Sequence, residues 1–212
     1  MKKIIIKGIV LILILFTLTG CSKQQRKAHD FYLPLDTSEF TLGEHPIPVT
    51  IGEVEIFVGE TTLQTLLDAD FPVVASEWNG SEVIEHEVDS TETLPAHTSF
   101  TDLSFWVTDS TFARLSVEAG SEDTKMGDAI ISRLELHLSH RVDTLPDTIL
   151  LNNVPVPEIT RSKAGRMFPY FEQSNLSISL QGANYNCHLL FSPKTFVIYQ
   201  FSLQKTSLNT SE

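Results

Sequence analysis

Two stretches a hundred residues apart carry the same punctuation, and this constrains the fold more than any other feature. In the first, Val49-Thr50-Ile51 reads as a strand end, Gly52-Glu53 as a two-residue turn, and Val54 to Val58 as the returning strand. Glycine at the first turn position suits a type II′ hairpin, which needs positive φ there. Thr61 is then expected to cap a helix, with Gln64 at capping-box spacing. Leu63, Leu66 and Leu67 recur at i, i+3, i+4 and give that helix one apolar stripe. Pro72 closes it, since proline cannot continue a helix and disfavours helical geometry at Phe71. In the second stretch, Ile149-Leu150-Leu151 leads into Asn152-Asn153, a pair suited to a type I′ turn, and Val154-Pro155-Val156 returns. Thr160 stands as N-cap, Ala164, Met167 and Phe168 form the stripe, and Pro169 closes. The offset is 100 residues across the hairpins (Val54 and Ile56 against Val154 and Val156) and 101 across the helices (Leu63 against Ala164).

Strand patterns follow each helix. Asn79-Gly80 signals a hairpin, and Ser81 to Asp89 alternates, with Ile84, His86 and Val88 on one face. Leu103–Val107 and Phe112–Val117 flank an Asp109-Ser110 turn, and Glu118 to Asp128 reads as a polar loop. Ile130–Val142 reads as a long strand, with Leu134, Leu136, Leu138 and Val142 facing the core and Arg133, Glu135, His137 and Arg141 facing water. Three more strands follow the second helix, over Leu176–Leu180, Tyr185–Phe191 and Phe196–Leu203. The expected class is α+β: mostly antiparallel β meanders with two short helices, in a tandem repeat of hairpin-helix-meander units. The expected division is a signal segment over 1–20, a tether over 21–40, an acidic first unit over 41–142, a second unit over 143–205 and a polar tail over 206–212.

The N-terminus has its own logic. Lys2, Lys3 and Lys7 precede an uncharged run of 13 residues, Gly8 to Gly20. A bilayer-spanning helix needs about 20 apolar residues, so the run has the length of a signal-peptide core instead. Leu18-Thr19-Gly20-Cys21 resembles the lipobox of bacterial lipoproteins. The resemblance implies diacylation of Cys21 and cleavage before it, and hence a palmitate-type anchor on the extracytoplasmic face of the cell membrane. Two acyl chains hold a protein stably where one is marginal. Ser22 to Asp30, with Lys23, Arg26 and Lys27, would lie near anionic headgroups. Gly59-Glu60-Thr61-Thr62-Leu63 through Asp70-Phe71 resembles segments of uncharacterised lipoproteins of Gram-positive bacteria. The tandem helix-plus-meander layout is similar to that of secreted bacterial inhibitors of the β-lactamase-inhibitory type, in layout only.

With Cys21 lipidated, Cys187 has no disulfide partner. It lies in the strand pattern Tyr185 to Leu190 and reads as a buried small apolar residue. Its neighbour His188 would point to the opposite face, away from any thiol chemistry. Charge is uneven. Asp30 to Asp128 holds 21 acids against Arg114 and Lys125, net −19, while Ala129 to Glu212 holds 6 acids and 7 bases, net +1. That sign disfavours nucleic acid; the scattered acids suit first a solvated surface that keeps the domain off an anionic membrane, and second a face for cations or a basic protein partner. The densest cluster, Glu82, Glu85, Glu87, Asp89 and Glu92, lacks the spacing of a calcium loop, as does Ser121-Glu122-Asp123 with Gly127-Asp128. His137 and His140, three apart on a strand pattern, point to opposite faces and do not converge on a metal. Nucleophile-elbow, phosphate-loop and dinucleotide fingerprints are absent from the chain.

No catalytic, cofactor-binding or metal residue is therefore assigned, and Cys21 is the one site residue, for lipidation. Trp78, Trp106, Tyr185, Phe100, Phe105 and Phe112 are the candidates for a binding surface. Trp78, beside the Asn79-Gly80 turn, is expected to be exposed. The expected function is a membrane-anchored, non-catalytic binding protein of the cell envelope. The alternatives are an inhibitor or immunity-type protein that blocks an enzyme, and an envelope hydrolase whose site is assembled from distant residues.

Overall fold

Both hairpins form as their turns dictate. Gly52 has φ +62°, while Asn152 and Asn153 have φ +52° and +60°, the left-handed pair a type I′ turn requires. The computed structural model describes residues 46–139, 145–168, 171–182 and 184–206. Strands of the first part are β1 (Val49–Ile51), β2 (Val54–Ile56), β3 (Val74–Trp78), β4 (Val83–Glu87), β5 (Thr93–Leu94), β6 (Ser99–Thr108), β7 (Thr111–Glu118), β8 (Thr124–Lys125) and β9 (Ile130–His137). The second part adds β10 (Ile149–Leu151), β11 (Val154–Pro155), β12 (Glu172–Gln173), β13 (Ser177–Gln181), β14 (Tyr185–Phe191) and β15 (Ile198–Lys205). The helices are α1 (Leu63–Asp68) and α2 (Arg161–Met167). The protein is thus largely antiparallel β with two short helices.

The two hairpins join in a four-stranded sheet of order β11-β10-β1-β2. The meanders join in a nine-stranded sheet of order β12-β13-β14-β15-β9-β7-β6-β3-β4, closed at its centre by β9 against β15. Strands from residues 41–142 and from 143–205 therefore share both sheets. Every pairing is antiparallel, so residues in register share a face. One face of the large sheet is apolar across six strands. Phe105, Ala113, Leu136, Phe201, Leu189 and Ile178 make one row, and Leu103, Leu115, Leu134, Leu203, Cys187 and Leu180 the next. These rows meet Val49, Ile51, Ile56, Ile149 and Leu151 of the small sheet, and Leu63, Leu66, Ala164 and Met167 of the helices, in one buried cluster.

The two helices begin differently. Thr160 caps α2 as expected, its Oγ1 accepting from Lys163 N at 3.2 Å. For α1 the expectation fails by one residue: the N-cap is Thr62, which makes no side-chain cap bond. Thr61 Oγ1 instead accepts from Phe57 N at 2.9 Å, and Gln64 Nε2 donates to Asp68 Oδ1 at 2.7 Å, so no capping box forms. The strand expected over 81–89 is shorter, and all five residues of β4 are exposed, so Ile84 has no core to face. The strand expected to reach Val142 ends at His137. Val142, Arg141, His140 and Pro169 lie outside the described residues.

Candidate functional site

The opposite face of the large sheet is polar, and a distinct patch stands on it. Strand alternation sends Phe105 inward and Trp106 outward. Beyond the Asp109-Ser110 turn, a register shift between Trp106 and Thr108 sets Trp106 against Phe112, and the neighbouring pairings set Phe112 against His137 and His137 against Gln200. Trp106 is 59% exposed, with its ring centroid 5.0 Å from that of Phe112 at 52°. Phe112 continues to His137 at 6.4 Å. Arg114, two residues on and on the same face, places its Cζ 5.8 Å from the Phe112 centroid, within cation–π range. Its guanidinium makes no hydrogen bond or ion pair with the described residues.

The adjoining row is Ser104, Arg114, Glu135, Ser202, His188 and Ser179. Glu135 sits at its centre and is only 9% exposed. This corrects the expectation that it faces water freely. Its carboxylate accepts from Arg133 Nη2 at 2.6 Å and from Gln200 Nε2 at 2.9 Å. His137 Nε2 lies 2.7 Å from Glu135 Oε1, out of line for a directed hydrogen bond. Covered by these neighbours, Glu135 is buried on the solvent side of the sheet.

A register shift between Phe100 and Leu103 sets Thr101 and Asp102 against Ser116. Beside it opens a groove of about 530 Å³ whose walls include Glu85, Asp102, Ser104, Arg114, Arg133 and Glu135. Glu85 of β4 and Asp102 of β6 supply carboxylates, Arg114 of β7 and Arg133 of β9 supply guanidiniums, and Glu135 of β9 is held against Arg133. The arrangement offers aromatic contact, cation and anion recognition and a held carboxylate on one open surface.

The candidate aromatics separate cleanly. Phe105 is core; Phe100, Phe112 and Tyr185 are half-buried; Trp106 and Trp78 are exposed, Trp78 at 64%. Tyr185 lies apart from the patch, and its hydroxyl is held above the usual phenol range by burial, then by the Glu60 charge, with Lys205 opposing. His86 and His97 are exposed, and His188 points out beside Ser179. Cys187 faces the core, and burial pushes its thiol up to about 12. Of the acidic cluster, Asp89 is held below the usual carboxylate range by the Thr91 hydroxyl and backbone N–H. Cys21 and its tether lie outside the described residues. Arg114 and Glu135 were not singled out from the sequence, although alternation along β7 already sets Arg114 on the same face as Phe112, across from Ser104.

Fold and surface together define a largely antiparallel β protein with one covered and one open face on its main sheet. The chain matches no protein-family model, no curated protein and no solved structure.

Proposed function

We propose that this is a membrane-anchored extracytoplasmic lipoprotein that binds a protein partner through the open face of its large sheet and performs no catalysis itself. The carrying observation is Trp106, exposed against Phe112, with Arg114 beside it, whose guanidinium makes no hydrogen bond or ion pair among the described residues. Tryptophan, tyrosine and arginine dominate the energetics of protein interfaces, because they bury large areas while making directed polar contacts. The lipobox-like Leu18-Thr19-Gly20-Cys21 supports the address. An enzyme is a natural partner for such a face, which would make the protein an inhibitor or immunity-type factor.

The layout is that of two related units packed about a common axis. Three correspondences support this. β1 pairs with β10 symmetrically about Thr50 and Leu150, which stand 100 residues apart. The last strand of each unit meets the other at the centre of the large sheet. Each helix N-cap bridges the chain at the start of that last strand, Thr62 to Ile130 and Thr160 to Val197.

An envelope hydrolase is the second reading, favoured by the Glu135–His137 pair at 2.7 Å. Such a pair serves as a base when a nucleophile stands within reach. Cys187 cannot be that nucleophile, since it faces the other side of the sheet.

Two measurements test the proposal. Changing Cys21 to Ala should move the intact protein out of the membrane fraction; unchanged tight retention would overturn the anchor. The purified full chain should show no turnover on ester, peptide and glycan panels; turnover abolished by Glu135→Gln would replace the binding reading with the hydrolase.

A further inference from the structure

The two ends of the nine-stranded sheet are managed differently. At one end β12 is two residues long and offers little edge to another strand. At the other, β4 runs five residues with no neighbour on its outer side among the described residues, and every one of them is exposed. Asn79 N donates to Glu82 O at 3.2 Å, which sets the phase of the β3–β4 ladder. Antiparallel pairs alternate between hydrogen-bonded and non-hydrogen-bonded. Trp78–Val83, Ser76–Glu85 and Val74–Glu87 are then the non-bonded pairs. The N–H and C=O groups of Val83, Glu85 and Glu87 therefore point away from β3, along the free edge.

We infer that β4 is a docking edge for an extended basic segment of a partner protein, which adds as a tenth strand. The backbone supplies the ladder, and charge selects the occupant. Glu77, Glu82, Glu85 and Glu87 lie on this hairpin, Asp89 and Glu92 follow it, and from Asp30 to Asp128 the only bases are Arg114 and Lys125. Side chains of an added strand alternate between the two faces. Those beside Val83, Glu85 and Glu87 meet two carboxylates and are basic. On the other face an added strand runs past Glu82, Ile84 and His86, and its side chain beside Ile84, exposed at 47%, is apolar. A second copy of this chain is the poorer occupant. Antiparallel pairing centred on Glu85 would set two Glu85 carboxylates opposite each other, and like charges directly opposed are destabilising. The inference concerns the sheet edge and does not rest on the Trp106 patch.

The probe is a blocked peptide of four Lys-Val repeats, with the Glu-Val counterpart as control, added to the full-length chain in a neutral detergent. Trp106→Phe leaves Trp78, beside Val83, as the single fluorescent reporter. The Lys-Val peptide should shift Trp78 emission and slow amide exchange at Val83, Glu85 and Glu87, and the Glu-Val peptide should do neither. Glu85→Pro removes one free-edge N–H without touching the β3 ladder and should weaken binding at least tenfold. Glu85→Gln should weaken it only a few-fold and reduce its salt dependence. Binding equal in Glu85→Pro and the parent overturns strand addition in favour of diffuse charge attraction. Unchanged amide exchange in the parent overturns it whether or not the proline variant folds, and so does self-association through β4 in place of peptide binding.

Discussion

The same strands build two surfaces of opposite character. Along β7, Ala113, Leu115 and Val117 enter the core, while Phe112, Arg114 and Ser116 form the open face; along β9, Leu134 and Leu136 enter while Arg133, Glu135 and His137 face out. The inner rows are apolar without exception across six strands. The outer rows mix serine, glutamine, charge and an aromatic patch. A sheet that needed only solubility would be served by scattered polar side chains. Here an exposed Trp106 meets Phe112 at a tilt, with the Arg114 guanidinium over the Phe112 ring and bonded to none of the described residues, beside a carboxylate gripped by two donors. On the proposed reading, the inner face carries stability and the outer face recognition.

Neighbouring substitutions should split along that line. Phe201→Ala, on the inner face, should cost about 3–5 kcal/mol in denaturant unfolding, whereas His188→Ala, exposed on the outer face of the adjoining strand, should stay near ~0.5 kcal/mol. Glu135 is the outer residue expected to break the contrast. Glu135→Ala leaves Arg133 and Gln200 without their acceptor and should cost about 1–3 kcal/mol. Cys187 gives the inner face a pH signature. Its folded value is raised, so its contribution is complete below the unfolded thiol value of 9.0 and is lost as pH climbs toward about 12. Stability should fall by about 1.4 kcal/mol per pH unit above 9 from this group, and Cys187→Ala should flatten that slope. The folded thiol should also resist alkylation until the chain unfolds. Thr160→Ala should cost about 1 kcal/mol, while Thr62→Ala, with no cap bond to lose, should cost a few tenths, about 0.3 kcal/mol. Trp106→Ala should leave stability within about 0.5 kcal/mol.

Much of the fold was legible because turns make demands that few residues meet. Gly52 and Asn152-Asn153 announce positive φ, and Leu63, Leu66, Ala164 and Met167 announce helical stripes. What escaped was decided by contacts that a local pattern does not show. Thr61 reads as the cap of α1, but Phe57 N claims its hydroxyl and Thr62 takes the N-cap position. The alternation around Ile84 predicts a half-buried strand, but alternation cannot say whether a sheet edge will be covered. Glu135 reads as a water-facing strand residue, and one of the donors that buries it, Gln200, lies 65 residues away. The outer patch was half visible: Trp106 and Phe112 stood out, while Arg114 gained meaning only when the β6–β7 register set it beside them.

The most direct test places a photo-crosslinking benzoylphenylalanine at position 106, on the open face, or at position 53, in the exposed β1–β2 turn of the other layer, in intact cells. The account predicts a discrete protein adduct from position 106 that weakens with Arg114→Ala, and none from position 53. Identical products from both positions, or none from position 106, would contradict the assignment of recognition to the outer face.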